Sequence, residues 1–293
     1  MTDWIDAHHH LWDLDAVHYP WLMAKGVERF FGDPTPIQRN YLLDEFRAEA
    51  SAEGFAASVH IQVGAENGWD EAAWVQEVAD ATPDWPLAQI VFCDLTAEDL
   101  AAQLDAYQSL ATVRGLRQIV GRAPGEDART GTNQLLGDPS FAAGLSEAGR
   151  RGLSFDLQLI PELMKKTAKV LDTAPDTKIA LCHAGSPHDR SPEGLAQWSK
   201  SLRDLSELPN VYCKLSGLGM FAHTWNVEDF RPIVETVIEQ FGPERIMFGS
   251  NFPVDKLYSD YAKLAVAYRR LVPQEMHVAV FRSNAAKFYS LEI

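Results

Sequence analysis

The chain has 293 residues, and its 26 Lys and Arg residues against 41 Asp and Glu residues give a formal net charge of −15. The apolar fraction of 46% and the charged fraction of 23% are ordinary for a globular protein, which excludes a disordered or collagen-like chain. The negative charge argues against nucleic acid or an anionic membrane surface as a partner. A chain of this length can form one α/β barrel or two average domains.

The three cysteines, Cys93, Cys182 and Cys213, each lie inside an apolar run. They are too few and too scattered for a disulfide framework or a cysteine-rich zinc site, so we expect buried free thiols, as in a reducing compartment. The first residues lack the basic and apolar regions of a secretory signal, and no run approaches the ~20 apolar residues of a membrane helix. These features predict a cytoplasmic protein.

Short apolar or β-branched runs alternate with stretches of helical periodicity along the whole chain. The predicted strands are residues 4–7, 55–63, 87–93, 113–119, 153–159, 178–182, 210–215 and 245–249. The predicted helices are residues 41–53, 71–81, 97–110, 140–150, 162–171, 192–205, 227–241, 258–271 and 273–289. One helix start is marked by Ser191 followed by Pro192, which suits the first helical position.

Eight strand–helix alternations without a break in composition predict an α/β fold, a single (β/α)8 TIM barrel over residues 1–293. A doubly wound sheet is the alternative. The sequence disfavours a nucleotide-binding form of this sheet, because no GxGxxG motif follows a predicted strand and no GxxxxGK[ST] motif occurs.

The connection between the first strand and the first long helix runs for about 30 residues and is rich in aromatic side chains. It contains Trp12, Tyr19, Trp21, Phe30 and Phe31. Loops of this length in compact domains are usually lids or binding loops. An aromatic plug over one end of the barrel is an equally open interpretation, and the two roles are compatible.

Histidines follow the first and sixth predicted strands, at the barrel face where active sites are built. Because side chains alternate along a strand, His8 and His10 are expected on one side and His9 on the other, toward the helices. Two imidazoles so placed form a chelating pair for zinc or a similar ion. His183 emerges at the same face and is a candidate third ligand or a hydrogen-bond partner for substrate.

These histidines belong to a set of motifs that resembles the amidohydrolase superfamily, and more closely its amidohydrolase 2 branch of lactonases. The motifs are DAHHHLW at 6–12, YPWL at 19–22, VRGLR at 113–117, FDLQL at 155–159, CHAG at 182–185, CKLSG at 213–217 and MFGSNFPVD at 247–255. The branch includes L-fuconolactonase, 2-pyrone-4,6-dicarboxylate lactonase and 4-sulfomuconolactonase. The resemblance covers almost the whole chain.

The resemblance implies a barrel that opens a lactone ring, with a Lewis acid or hydrogen-bond donors polarising the carbonyl group. His8, His10 and His183 match the metal-binding or carbonyl-polarising positions. Some members hold one divalent metal, for which zinc is the expected ion, and others hold none. A carboxylate after the eighth strand moves the proton of the attacking water in this family.

The sequence departs from the family pattern at that carboxylate, because Asn251 stands where the family usually has Asp. An amide cannot accept a proton near neutral pH, so Asn251 is expected to bind a metal through its oxygen or to orient a water. Asp255 or Asp94 could supply the carboxylate instead. Without a carboxylate in reach, the metal must carry the step or the reaction is not hydrolytic.

Other polar and aromatic residues near the strand ends are candidates for binding substrate. Arg117 suits a carboxylate or carbonyl oxygen, because its planar fork matches such groups. Gln158 and His60 could bind ligand hydroxyl groups, Lys214 could add positive charge, and Trp21 offers a flat face to a ring.

The expected partner is therefore a small lactone or carboxylate, with a homodimer left open and no nucleic acid or membrane. Lactone isomerisation, amide hydrolysis and decarboxylation on the same barrel are the alternative reactions. A non-catalytic protein that binds sugar acids is a third interpretation, prompted by Asn251.

Overall fold

The structure is a computed structural model that describes residues 2–126 and 130–293. Its centre is one parallel sheet of eight strands, each paired with the next along the chain. The strands are β1 (Trp4–His9), β2 (Phe55–Ile61), β3 (Leu87–Val91), β4 (Val113–Leu116), β5 (Ser154–Leu157), β6 (Ile179–Leu181), β7 (Val211–Leu215) and β8 (Ile246–Phe248).

The sheet curls so that its first and last strands meet. The turn after β8 is clasped to the end of β1 by two main-chain hydrogen bonds of 2.7 Å, from the Asn251 N–H to the His8 carbonyl and from the His10 N–H to the Phe252 carbonyl. The predicted (β/α)8 barrel is confirmed. The doubly wound alternative is wrong, because such a sheet is open and its strand order reverses.

Helices follow the strands and cover the outside of the barrel. The α-helices are α1 (Pro20–Met23), α2 (Leu43–Ala52), α3 (Gly68–Ala81), α4 (Leu100–Gln108), α5 (Pro139–Arg150), α6 (Met164–Leu171), α7 (Pro192–Ser206), α8 (Val227–Phe241), α9 (Tyr261–Leu271) and α10 (Asn284–Tyr289). Short 3₁₀ segments occupy Thr35–Ile37, Thr132–Gly137, Pro161–Leu163, Cys182–Gly185, Leu218–Phe221, Pro243–Arg245, Asp255–Leu257 and Gln274–Met276, and a π-helical segment occupies Ala279–Ser283. No helix among the described residues has the length and apolar character needed to cross a bilayer.

Local chemistry explains where the helices begin and break. The start of α7 is confirmed: Pro192 takes the first helical position, and the Ser191 hydroxyl oxygen accepts the Gly194 N–H at 3.0 Å. The helix predicted over residues 97–110 begins only at Leu100. The Asp94 carboxylate accepts both the N–H and the hydroxyl of Thr96, which holds the preceding residues in a turn.

Two apolar layers surround the sheet. Side chains such as Ile5, Ala57 and Met247 face the barrel interior, which Phe288 and Tyr289 of α10 join from below. A larger cluster lies between the strands and the helices. The three cysteines are buried and free, as predicted. The opposite end of the barrel, where the strands end, is left for the site.

The long connection after β1 divides its aromatic residues between two places. Trp12 is fully buried, its indole N–H donates to the Arg39 carbonyl at 2.6 Å, and its main chain bridges to Tyr41. The Trp21 indole N–H donates to the Val63 carbonyl at 2.6 Å, which fixes this ring beside the end of β2. Trp12 thus packs in the core, while Trp21 lies at the barrel mouth.

Candidate active site

A shift of register in β1 brings its histidines into the barrel mouth. Pairing between β1 and β2 slips between Asp6 and His9, and the Asp6 carboxylate accepts the His8 N–H at 3.0 Å. Ala7 faces the barrel interior, yet the next residue, His8, also points inward. An extra residue in a strand produces such a same-side pair. As the sequence predicts, His8 and His10 face inward and His9 faces outward. The extra residue places Ala7 and His8 on the same side, so the alternation of side chains is interrupted between them.

The rings of His8, His10 and His183 lie close together. The ring centroid of His8 is 5.2 Å from that of His10 and 4.6 Å from that of His183. His9 points the other way and stacks on Phe46 of α2 at 3.8 Å. Burial lowers the pKa of all three inward-facing rings, to about 3 for His10, so these imidazoles are neutral near pH 7. Neutral imidazole is the form that binds a metal.

Small residues make room for these rings. A Cβ atom at Gly249 would lie 2.5 Å from the Cβ of His8, and one at Gly217 would lie 2.3 Å from Nδ1 of His183. Gly217 also has a φ of 62°, a left-handed conformation that glycine adopts without strain. The Ser216 hydroxyl lies 3.0 Å from Nδ1 of His183 and also accepts the His183 main-chain N–H at 3.2 Å. The CKLSG turn therefore orients His183.

His10 and Asn251 direct lone pairs toward each other. Nδ1 of His10 lies 2.7 Å from the Ile61 carbonyl oxygen, which can only accept, so Nδ1 carries the proton and Nε2 has the lone pair. Nε2 lies 3.3 Å from Oδ1 of Asn251. The Asn251 amide group donates instead to Oδ2 of Asp255 at 2.5 Å, which turns Oδ1 toward His10. Two acceptors that face each other need a cation or a hydrogen-bond donor between or beside them.

Asp255 is buried behind Asn251. Its Oδ1 accepts the Gly219 N–H at 2.9 Å. Burial raises the pKa of this carboxyl group to about 7, against the lowering effect of its hydrogen bond to Asn251. Asp255 therefore contacts Asn251, which in turn lies beside His10.

His8 supplies the strongest evidence that a cation fits here. The side chain is fully buried, and neither Nδ1 nor Nε2 has a hydrogen-bond partner within residues 2–126 and 130–293. Buried polar atoms without partners are rare and costly, and a bound ion or water is one of the usual reasons for them. Together with the lone pairs of His10 and Asn251, His8 offers nitrogen and oxygen donors that suit one divalent ion such as Zn²⁺.

The tightest group of ligand-type residues is a different one. Among the described residues, the ligand atoms that all lie within 4.8 Å of one another belong to His8, Asp156 and Cys182, and not to the predicted set of His8, His10 and His183. Asp156 is already paired with Lys214, and burial raises the pKa of the Cys182 thiol to about 12, which keeps it protonated. An ion beside the Lys214 ammonium group would be repelled, so this group is a poor metal site.

A cavity of about 240 Å³ opens above the histidines. The sequence-predicted residues that line it are His10, His183, Asn251, Arg117, Gln158 and Trp21. Phe30 and Phe31 of the long connection form part of its wall. The residues that sequence reasoning missed are Arg29, Gln62, Arg122 and Met220. Arg29 carries no sequence signal beyond its place in the long connection, whereas Gln62 lies near the end of a predicted strand and Arg122 follows the end of another.

Arg117 and Gln158 form one side of the cavity. The Arg117 guanidinium donates to the Gln62 carbonyl at 2.8 Å and to Oε1 of Gln158. Its Nε–H is buried and has no hydrogen-bond partner in the part of the chain that the structure describes. Arg117 and Gln158 thus reach the cavity together, as their strand-end positions predict.

The structure does not bring His60 or Asp94 to this cavity. Nδ1 of His60 accepts the Leu11 N–H at 3.1 Å, and Nε2 lies 3.4 Å from the buried Glu71 carboxylate. His60 is 1% exposed and is not among the described residues that line the cavity, so it is out of reach of a ligand hydroxyl group there. Asp94 holds the turn before α4.

Lys214 also stays below the cavity. Its ammonium group donates to the Ala7 carbonyl at 2.7 Å and to Asp156. The side chain is fully buried, so it adds positive charge beneath the histidines without contacting the cavity.

Comparison with known proteins agrees with this arrangement. Residues 5–291 match the amidohydrolase 2 family. An uncharacterised protein of Sinorhizobium fredii is 37% identical over 291 residues, covering 97% of each chain. An L-fucono-1,5-lactonase of Burkholderia multivorans is 30% identical over 305 residues, covering 98% of this chain and 96% of its own.

A solved structure of an amidohydrolase from Burkholderia multivorans with bound zinc superposes with a TM-score of 0.83 at 27% identity, covering 99% of this chain and all of its own. The family match includes all eight strands and both histidine motifs. On this evidence the chain belongs to the amidohydrolase 2 family.

Proposed function

We propose that this protein is a hydrolase that opens a small lactone. The observation that carries the proposal is the pair of buried His8 nitrogens without partners among the described residues, close to the facing acceptors His10 Nε2 and Asn251 Oδ1 at a cavity that Arg117 also lines. The lactonase names of curated relatives support the reaction class. The zinc in a related structure supports one divalent ion as cofactor.

In this proposal His8, His10 and Asn251 hold the ion, with His183 beside them. A divalent ion held there supplies a Lewis acid that polarises the lactone carbonyl. The Ile61 carbonyl fixes the tautomer of His10, a role that such second contacts commonly play around metals. Arg117 and Gln158 bind the remainder of the substrate.

In this proposal Asp255 positions Asn251, which orients the attacking water, and a divalent ion held beside it would make that water more acidic. Asn251 cannot accept a proton, but its Oδ1 can accept a hydrogen bond from water and orient it. Asp255, whose pKa burial raises to about 7, does not line the cavity, and its two oxygens accept hydrogen bonds from Gly219 and Asn251. It stands one hydrogen bond behind Asn251.

A second candidate function is a reaction without water, either isomerisation or decarboxylation. It is favoured by one observation: no carboxylate from the described residues lines the cavity itself. Product mass separates these reactions, because hydrolysis adds a water, isomerisation conserves mass and decarboxylation loses carbon dioxide.

The test is lactone opening by protein treated with chelator and reloaded with Zn²⁺, followed by a pH indicator and by product mass. We expect turnover that His183→Gln lowers by roughly 100-fold or more, the size of effect seen when a group at a polarised carbonyl is removed. His188→Gln is the matched control. His188 lies on the loop after the same strand, but its Nε2 contacts Oε1 of Glu162 at 3.0 Å and it does not line the cavity. Equal rates for wild type and His183→Gln would contradict the proposal.

A further inference from the structure

Three consecutive carbonyl groups at the end of β2 each accept a hydrogen bond from a side chain that lines the cavity. The pairs are the Ile61 carbonyl with the His10 ring at 2.7 Å, that of Gln62 with the Arg117 guanidinium group at 2.8 Å and that of Val63 with the Trp21 indole at 2.6 Å. Residues 61–63 therefore set the position of one candidate metal ligand and of two residues of the cavity wall. A group that fixes this segment also fixes the geometry of the site.

The segment lies where the parallel sheet ends, so part of its main chain has to find partners outside the sheet. The Gln62 N–H still donates to the Ile90 carbonyl of β3 at 2.8 Å. The next N–H, that of Val63, donates to Oε1 of Glu71 at 2.9 Å. A main-chain N–H group beyond the last strand partner needs another acceptor, and here a carboxylate in the first turn of α3 provides it.

His60 connects the same carboxylate to the chain beside His10. Nδ1 of His60 accepts the N–H of Leu11 at 3.1 Å, and a main-chain N–H can only donate. Nδ1 therefore has the lone pair, and Nε2 of this ring carries the proton. Nε2 lies 3.4 Å from Oε1 of Glu71. One carboxylate oxygen thus faces both the N–H of Val63 and the N–H of the His60 ring.

Both side chains are enclosed by the protein. Glu71 is 2% exposed and His60 is 1% exposed, and neither is among the described residues that line the cavity. Within residues 2–126 and 130–293, no lysine or arginine side chain lies at ion-pair distance from Glu71. Its contacts instead tie together two chain segments, the one that follows His10 and the one whose Ile61 carbonyl binds the His10 ring.

We propose that Glu71 is a positioning residue for His10, acting through the His60 ring and the end of β2. With the Leu11 N–H held on one side and the Ile61 carbonyl on the other, the His10 ring keeps Nδ1 protonated and presents the lone pair of Nε2 to the cavity. This role concerns the free protein and its binding of zinc. It rests on the proposed function only where it extends to the rate of lactone opening.

Loss of the carboxylate should loosen His10 without removing it. Glu71→Met nearly keeps the length of the side chain and removes both oxygens, so the Val63 N–H and the His60 Nε2–H lose their acceptor. The Ile61 carbonyl can then move away from Nδ1 of His10, and the ring proton redistributes between the two nitrogens. Removing contacts that orient a metal ligand commonly weakens metal binding by about 10- to 100-fold.

The experiment follows the His10 tautomer by nitrogen NMR of chelator-treated protein grown with isotope-labelled histidine, at neutral pH, with His10→Gln used to assign the signals. We expect Nδ1 protonated and Nε2 unprotonated in wild type, and a mixture of the two tautomers in Glu71→Met. The dissociation constant for zinc, from competition with a coloured chelator, should rise by about 10- to 100-fold in the same variant. In zinc-loaded protein, kcat for lactone opening should fall.

Two variants separate positioning from a general loss of stability. Glu71→Gln keeps an oxygen that can accept from both donors, so it should retain the wild-type tautomer of His10. Asn284→Leu removes a different buried contact between a helix and the barrel, because the Asn284 amide group donates to the carbonyl groups of Pro243 and Ile246, both at 2.7 Å. These carbonyls lie at the start of β8, at the opposite end of the barrel. Asn284→Leu should lower the urea midpoint and leave the tautomer and the zinc affinity unchanged.

The His10 tautomer decides the outcome. The same tautomer in Glu71→Met as in wild type overturns the inference, as does an equal change in Asn284→Leu. If Glu71→Met does not fold, His60→Phe replaces it, because it removes the acceptor of the Leu11 N–H, and the same comparison applies. If wild type binds no zinc or opens no lactone, the proposed function fails, and the tautomer still decides the role of Glu71.

Discussion

Buried polar groups at two levels of the barrel differ in whether the protein provides their hydrogen-bond partners. At the barrel centre, Lys214 donates to Asp156 and to the Ala7 carbonyl, and the Tyr289 hydroxyl donates to Asp156 at 3.0 Å. At the barrel mouth, directly above, the two nitrogens of His8 and the Nε–H of Arg117 have no hydrogen-bond partner among the described residues.

This difference indicates that the polar groups at the centre stabilise the fold and that those at the mouth bind a ligand. Polar groups at the centre complete one another, so they can hold strands together without any ligand. Those at the mouth are left with donors and acceptors that only a ligand can satisfy, and this costs free energy in the empty protein. A network that a ligand completes is expected where chemistry takes place, and a completed network is expected where it does not.

The largest effect is predicted at the barrel centre. Lys214→Met leaves the buried Asp156 carboxylate without its cation, and removing one member of a buried pair costs about 3–5 kcal/mol. We expect a loss of this size in the free energy of unfolding, measured with urea. The double variant Lys214→Met/Asp156→Leu removes both charges and should recover most of the loss. A single variant as stable as wild type would show that the pair is not structural.

The sequence predicts at which end of the barrel a side chain lies, but not how far along the barrel axis it lies. Arg117, Gln158 and His183 lie at the cavity, and each follows the end of a strand. Lys214 lies inside β7, before its last residue, and its side chain lies one level lower and pairs with Asp156. The level depends on the stagger between neighbouring strands, which is set by their hydrogen-bond register.

Two other features required the folded chain. The register shift in β1 follows from the Asp6 carboxylate binding the His8 N–H, a local contact with no signature in the apolar pattern. Arg29 reaches the cavity from a connection about 30 residues long, whose path is set by contacts such as that of Trp21 with Val63. Motif and alternation predict which residues share a face, whereas long connections are positioned by tertiary packing.

An effect of intermediate size is expected when one polar ring at the barrel centre and one at the barrel mouth are each replaced by phenylalanine. Tyr289→Phe at the centre removes a hydrogen bond to a charged group and should cost about 1.5–3 kcal/mol of unfolding free energy. His8→Phe at the mouth replaces an unpartnered polar ring by an apolar one, and we expect a change within about 1 kcal/mol, or a gain, in chelator-treated protein. His8→Phe should also abolish the proposed lactonase activity. Equal losses of stability at the two positions would contradict the contrast between the levels.

The smallest effect concerns pH and His10. Burial, reinforced by the positive charge of Arg117, lowers the pKa of His10 from 6.5 to about 3. The unfolded chain therefore takes up a proton below about pH 6.5 that the folded protein does not bind until about pH 3. Stability is full above pH 6.5 and falls as the pH is lowered, by up to about 1.4 kcal/mol per pH unit for this group.

His10→Gln removes this group, so the unfolding free energy of the chelator-treated variant should fall less steeply between pH 6.5 and 4 than that of wild type. The control is His18→Gln, which makes the same replacement at an exposed histidine of the long connection. Identical slopes for wild type and His10→Gln would mean that the fold does not hold this ring neutral. A reduced slope ties stability to the neutral imidazole, the state in which Nε2 offers its lone pair beside Asn251.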